Sequence, residues 1–148
     1  MKPINYMEIK FLSHSTNESF ARACVAAFCT QINPTIDEIN DIKTAVSEAV
    51  TNCVVHAYPN KPGEITIQST LYDNSVNIKI LDNGIGITDI NQAREPFFTT
   101  KPEQERSGMG FTVMESFMDS LIVTNNNRGT CVEMNKKIGL TEYQKATI

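Results

Sequence analysis

A carboxylate, an amide and an imidazole recur at four-residue spacing within the apolar stretch SEAVTNCVVH at 47–56. The three residues are Glu48, Asn52 and His56, and a helix would align them on one face. A carboxylate can accept the proton of an attacking hydroxyl, and an amide oxygen can bind a magnesium ion. Taken alone, such a stripe is also typical of a solvated helix face, so neighbouring motifs must decide between the two interpretations.

The strongest neighbouring motif is LDNGIGI at 81–87, in which a carboxylate precedes two glycines. Gly84 and Gly86 would allow a turn with positive φ and a close approach of a ligand. At the end of a strand, Asp82 could accept a hydrogen bond from an amino group of a flat ligand such as adenine. A glycine-rich turn capped by an aspartate is the alternative.

A second glycine pair, in RSGMGF at 106–111, directly precedes a predicted helix. Exposed N–H groups at a helix N-terminus favour an anion, and Arg106 could reach a phosphate oxygen. The same long connection contains Thr99, Thr100 and Lys101. Because long loops without regular structure are usually functional or disordered, we interpret this one as a lid over phosphates.

Together, the two glycine loops favour a nucleotide bound beside the predicted second helix. Its phosphates would need Mg²⁺, which Asn52 would bridge, and Glu48 would face the end of the phosphate chain as general base. A P-loop is excluded because GxxxxGK[ST] is missing, and neither glycine pair extends to GxGxxG. His56 could help to position the site, or it could cap the carbonyls at the end of its helix.

The elements that must position these residues follow from hydrophobic periodicity and turn signals. Strands are predicted at 6–13, 64–71, 75–82, 120–127 and 129–137. Helices are predicted at 15–32, about 37–57 and 111–119, with a short helical piece near 89–94. The first helix should bury Phe20, Ala23, Cys24, Ala27 and Phe28. Thr35 and Glu38 should form a capping box. This order predicts an α+β two-layer sandwich, a mixed or antiparallel sheet with helices on one face.

The 148 residues suit one domain, and we expect residues 1–140 to form it, with a frayed tail at 141–148. The net charge is −4, and the missing Lys/Arg cluster argues against direct nucleic-acid binding. Without a run of the ~20 apolar residues that a bilayer requires, or a signal peptide, we expect a cytoplasmic protein and no membrane partner. The four cysteines contain no CxxC pair, which favours buried thiols over a metal site.

The four motifs, in this order, resemble those of the GHKL ATPase superfamily with its Bergerat ATP-binding fold. SEAVTN resembles the N box, DNGIG the G1 box, PFFTTK the lid segment and SGMGF the G2 box. RGT matches the position where a threonine, here Thr130, contacts the adenine region. The resemblance covers nearly the whole chain.

Within that superfamily the chain is most similar to small sporulation anti-sigma factors with serine-protein kinase activity. The resemblance implies a homodimer that holds a sporulation sigma factor in an ATP-dependent complex and phosphorylates a serine of an anti-anti-sigma factor. It implies Glu48 as general base and Asn52 as Mg²⁺ ligand. It also implies ATP or ADP contacts for Asp82, Gly84, Gly86, Thr130, Thr99, Thr100, Lys101, Arg106, Ser107, Gly108 and Gly110.

Two other functions are weighed against this one. The catalytic module of a two-component histidine kinase would need a phosphoacceptor hairpin, for which the chain is too short. A non-catalytic, ATP-gated binding module would not need a base at Glu48. Arg22, beside Phe20, is predicted to project outward near a partner surface, as aromatic-flanked arginines often do, although a solvated helix residue fits equally well.

Overall fold

The computed structural model describes residues 2–96, 110–126 and 128–139. Part of the predicted lid and the predicted tail at 141–148 therefore lie outside the described residues. The same holds for six of the predicted phosphate-contacting residues, Thr99, Thr100, Lys101, Arg106, Ser107 and Gly108.

Five antiparallel strands form one sheet in the order β1-β2-β3-β5-β4. They are β1 (Asn5–Leu12), β2 (Glu64–Tyr72), β3 (Ser75–Asp82), β4 (Ser120–Asn125) and β5 (Thr130–Lys137). All five predicted strands are confirmed within two residues at each end. Of the two sheet types expected, the antiparallel one is found.

Strict alternation of side chains explains how a carboxylate comes to lie inside this sheet. Val76, Ile78 and Ile80 in β3 are at most 1% exposed, and the period of two carries the same face on to Asp82. Thr130 begins β5 on that face as well, beside the end of β3, because Leu81 pairs with Cys131. The ends of the two central strands therefore place Asp82 and Thr130 side by side.

The helices pack on one face of the sheet, as expected for an α+β two-layer sandwich. They are α1 (Asn17–Cys29), α2 (Ile36–Asn52), α3 (Ile90–Ala93) and α4 (Gly110–Phe117), with a 3₁₀ turn at Thr30–Ile32 and a π-helical turn at Cys53–Ala57. The predicted capping box is confirmed, because Thr35 Oγ1 accepts from Glu38 N at 3.1 Å and Glu38 Oε1 accepts from Thr35 N at 2.9 Å.

The predicted apolar face of α1 is wrong. The helix buries Ala21, Val25, Ala26 and Cys29, whereas Phe20, Ala23 and Ala27 are exposed and Cys24 and Phe28 are half-buried. The buried set consists of small side chains, which let α1 approach α2 closely. Phe20 packs instead edge-to-face on Phe11 of β1, with ring centroids 6.0 Å apart.

Candidate functional site

A cavity of about 200 Å³ opens where α2 ends, between the loop that follows β3 and the start of α4. It is lined by six of the residues that the sequence singled out: Asn52, His56, Asp82, Gly86, Gly110 and Thr130. The structure thus brings the helix stripe, both glycine loops and the RGT segment to one place.

Asn52 and Gly110, the first residue of α4, line one end of the cavity, and Glu48 lies beside that end rather than in the cavity wall. A β-carbon on Gly110 would lie 3.2 Å from Asn52 Oδ1 and 3.5 Å from Glu48 Oε2. A side chain there would crowd both groups, so glycine keeps the space between them open. The N-terminus of an eight-residue helix, with its N–H groups and positive dipole end, lies at the same point. This end suits an anion accompanied by a cation.

At the other end, Asp82 is only 6% exposed and is held by backbone donors. Its Oδ1 accepts hydrogen bonds from Gly84 N at 2.9 Å and from Thr130 N at 3.2 Å. The thiol of Cys53 donates to its Oδ2 at 3.6 Å. The carboxylate is therefore oriented before any ligand arrives, and an acceptor oxygen lies in the cavity wall.

Burial raises the pKa of Asp82 above its ordinary value of 3.8, because the charged form is desolvated. The hydrogen bonds from Gly84, Thr130 and Cys53 oppose that effect, since they stabilise the ionised carboxylate. A carboxyl group whose pKa is raised by burial in a cavity wall is a candidate for a functional site.

The loop at residues 83–87, called the G1 loop below, is tied to the π-helical turn that follows α2, which explains the need for Gly84. A β-carbon on Gly84 would lie 2.2 Å from the carbonyl oxygen of Ala57, and that same oxygen accepts from Ile85 N at 3.1 Å. The hydroxyl of Tyr58 accepts from Asn83 N at 2.7 Å and donates to Glu64 O at 2.6 Å. The close approach expected at this glycine is thus to the protein's own backbone.

A second attachment holds the far side of the loop. The side-chain amide of Asn125 accepts from Ile87 N at 2.9 Å and donates to Ile87 O at 2.7 Å, which imitates a pair of sheet hydrogen bonds. Gly86 has φ = +75°, as the sequence predicted for a glycine in this turn. Asn125 and Tyr58 were not predicted as site residues, because their partners are backbone groups distant in sequence.

The remaining predicted residues lie around this centre. His56 is half-buried in the π-helical turn and lines the cavity, which leaves both of its predicted roles open. Arg22 pairs with Glu18 at 3.3 Å, and its side chain is 41% exposed. Both belong to a polar groove between α1 and α2 that also reaches Glu48.

The fold and the cavity residues fit a known protein family. The family described as "Histidine kinase-like ATPase domain" matches this chain over residues 13–136, most of its length. This chain belongs to the histidine kinase-like ATPase family. The predicted resemblance to the GHKL superfamily is thereby confirmed.

Within the family, the chain is similar to anti-sigma F factors over most of its length. The chain is 60% identical over 136 residues to an anti-sigma F factor of Caldanaerobacter subterraneus subsp. tengcongensis, covering 91% of this chain and 95% of that one. It is 52% identical over 139 residues to an anti-sigma F factor of Clostridium acetobutylicum, covering 93% and 97%. The predicted likeness to anti-sigma factors is confirmed.

Solved structures share the fold at low identity. The RsbU and RsbW domains of a Mycobacterium tuberculosis protein match with a TM-score of 0.67 at 19% identity, over 92% of this chain and 33% of that one. The Acinetobacter baumannii histidine kinase AdeS matches with a TM-score of 0.54 at 13% identity, over 92% and 68%. Both support the predicted α+β architecture.

Within ranges 2–96, 110–126 and 128–139, no group of three His, Cys, Asp or Glu side chains could hold a metal ion. No helix in those ranges has the length and apolarity to cross a bilayer.

Proposed function

We propose that this protein is an ATP-dependent anti-sigma factor and protein-serine kinase. The observation that carries the proposal is a cavity lined by Asn52 and Gly110 at one end and by Asp82 at the other, with Glu48 close to Gly110. Phosphoryl transfer from ATP uses a general base, a group that binds the phosphates with their metal ion, and a group that recognises adenine. The carboxylate of Glu48, the amide of Asn52 and the buried carboxylate of Asp82 suit these three roles. Similarity to anti-sigma F factors supplies the partner class.

The base and sugar suit the cavity better than the whole nucleotide does. Its volume of about 200 Å³ lies below the ~300 Å³ at which ligand pockets usually begin. The phosphates would extend past Asn52 and Gly110. In this arrangement Asp82, Gly86 and Thr130 line the adenine end, and Gly84 supports it through the hydrogen bond from its N–H to Asp82. The predicted phosphate contacts at Thr99, Thr100, Lys101, Arg106, Ser107 and Gly108 remain proposals.

Asn52 fits the part of a magnesium ligand in both chemistry and surroundings. Its amide oxygen is a hard donor, and Gly110 leaves the space beside it open. Since the described residues hold no cluster that could bind a metal alone, Mg²⁺ would be held by Asn52 together with phosphate oxygens and water. When bound, Mg²⁺ would neutralise charge on the transferred phosphoryl group.

Phosphoryl transfer then follows from the position of Glu48. The hydroxyl oxygen of a partner serine attacks the γ-phosphorus and Glu48 takes the hydroxyl proton. The bond to the β-phosphate oxygen breaks, and ADP leaves. The helix N-terminus at Gly110 stabilises the negative charge on the transferred group.

The partner surface follows from the groove between α1 and α2. It reaches Glu48 at one end and carries Arg22, Glu18 and Lys43 along its walls. An anti-anti-sigma factor docked there would bring its serine to Glu48, and a sigma factor would compete for Arg22. Mixed charges along the groove suit recognition of a polar protein surface.

We also propose a cytoplasmic homodimer. β1 is an edge strand, and its neighbourhood exposes apolar side chains, with Tyr6 78%, Leu12 50% and Phe20 48% exposed. An edge strand flanked by apolar side chains favours pairing with a second copy.

The experiment incubates the protein with labelled ATP, Mg²⁺ and a candidate anti-anti-sigma factor, and then identifies the phosphorylated residue. Phosphoserine on the candidate is expected. Arg22→Ala should lower the rate of phosphotransfer without changing ATP affinity. Lys10→Ala, on the opposite sheet face, should change neither the rate nor the affinity. Phosphohistidine on this chain would favour the histidine-kinase module, and binding of ATP without any transfer would favour the non-catalytic module.

A further inference from the structure

Cys53 lies where α2 passes into its π-helical turn, one residue after Asn52. Neighbouring residues of a helix point about 100° apart. Asn52 therefore approaches Gly110, whereas Cys53 approaches the end of β3. The thiol is 4% exposed and lines the cavity. Two consecutive residues, Asn52 and Cys53, thus reach the two ends of the cavity.

The two oxygens of Asp82 have different partners. Oδ1 accepts from the backbone N–H groups of Gly84 and Thr130, so its lone pairs are occupied. Oδ2 accepts from the thiol of Cys53 at 3.6 Å, which is within hydrogen-bonding range for sulfur. Among the described residues, Cys53 is the one donor to Oδ2. One lone pair of Oδ2 is left for a ligand.

The S–H group of Cys53 is buried and faces Oδ2 of Asp82 at 3.6 Å, so it can donate to that oxygen. The hydrogen bond also stabilises the ionised carboxylate, since it lowers the pKa of Asp82. A hydrocarbon side chain of similar size would fill the space without orienting Oδ2.

We propose that Cys53 is a positioning residue for purine recognition. Its S–H group holds Oδ2 of Asp82 so that the free lone pair meets the 6-amino group of the base. The inference rests on the proposed adenine site and adds a residue that sets its selectivity. The preference for a base with a 6-amino group over one without it should therefore depend on this thiol.

Calorimetry should compare ATP with purine riboside triphosphate, which has hydrogen in place of the 6-amino group. For Cys53→Ala, the preference for ATP should fall about three- to tenfold, the loss expected for a weak donor to a charged acceptor. Cys53→Ser should retain the preference, because its hydroxyl also donates. Cys29→Ala, which removes a thiol with 0% exposure elsewhere in the core, should leave the preference unchanged.

Equal weakening of both nucleotides by Cys53→Ala would show that the residue only fills space, and an unchanged preference would equally overturn the proposal. If the parent protein bound neither nucleotide, the proposed adenine site itself would fail. Infrared spectroscopy tests the thiol without nucleotide. In the parent-minus-Cys53→Ser difference spectrum, the S–H stretch should lie below that of a free thiol and should shift in Asp82→Asn. A free-thiol frequency would overturn the inference.

Discussion

Glu48 lies one helical turn before Asn52, and both side chains approach the first residue of α4. A ligand that occupied the space between these two side chains and the helix N-terminus would contact both of them. The lack of a side chain at Gly110 provides that space. At the scale of single residues, we therefore propose proton transfer for Glu48 and ligand binding for Asn52 and Asp82.

Replacement of Glu48 by glutamine should separate catalysis from binding. Glu48→Gln retains the size and one acceptor oxygen but cannot take a proton, so phosphotransfer to the partner serine should fall by roughly two to four orders of magnitude. ATP affinity, measured by calorimetry, should change little. Glu8→Gln, on the opposite sheet face, is the control. Normal transfer by Glu48→Gln would refute the role of general base.

The titration of Asp82 should respond to nucleotide. In the free protein, burial holds the pKa of Asp82 above 3.8, and the proton must leave before the carboxylate can accept the adenine amine. ADP should therefore lower the pKa of Asp82, and acidification through that pKa should weaken ADP binding. The ¹³C shift of the side-chain carboxyl, assigned with Asp82→Asn, reports both. A pKa that rose on ADP binding would contradict the assignment.

At the scale of elements, the G1 loop works because three attachments hold it. Its backbone bonds to Ala57 and Tyr58 at the end of the π-helical turn, and the amide of Asn125 at the end of β4 holds Ile87. The nucleotide cavity is thus framed by the ends of a helix and of three strands. A loop anchored in this way can hold Asp82 rigid.

Gly84→Ala should break the contact between this loop and α2. The new β-carbon would lie 2.2 Å from the carbonyl oxygen of Ala57, so the loop must shift and lose the bond from Ile85. We expect a loss of about 1–3 kcal/mol in the free energy of unfolding and at least a tenfold loss of ADP affinity. Asn83→Ala, in the same loop, should cost much less in both. Urea unfolding and calorimetry test this, and equal effects would argue against the contact.

Local sequence signals predict some elements of this fold and miss others. Alternation and turn residues predict every strand, and the capping box predicts the start of α2, because these signals are local. The buried face of α1 could not be predicted, since two apolar stripes compete there and the choice depends on how closely α2 can approach. The attachments of Tyr58 and Asn125 depend on residues 25 and 38 positions away, and no local pattern reports them.

At the scale of the whole molecule, the fold separates two surfaces. The α1–α2 groove reaches Glu48, one helical turn before Asn52 in the cavity wall, whereas β1, with the exposed side of α1, lies at the edge of the sheet. A second copy could therefore pair along β1 while the groove receives a different protein. The predicted apolar face of α1 includes Phe20, Ala23 and Ala27, which are exposed. This face is then available for assembly.

Phe20→Glu should weaken the proposed dimer. A charge placed among the apolar side chains of this edge would have to be buried on pairing, which is costly without a partner. Light scattering after size exclusion should show a dimer for the parent protein and a shift toward monomer for the variant. Phe117→Glu, on α4 and 37% exposed, is the control. A parent protein that is monomeric at high concentration would contradict the proposal.

The most direct test of the account is a calorimetric titration of the intact protein with ATP and Mg²⁺, repeated with Asp82→Asn and with GTP. We expect saturable binding of one ATP per chain, much weaker binding of GTP, and a large loss of ATP affinity in the variant. No heat of binding at millimolar ATP, or equal affinity in the variant, would contradict the claim that this cavity holds an adenine nucleotide.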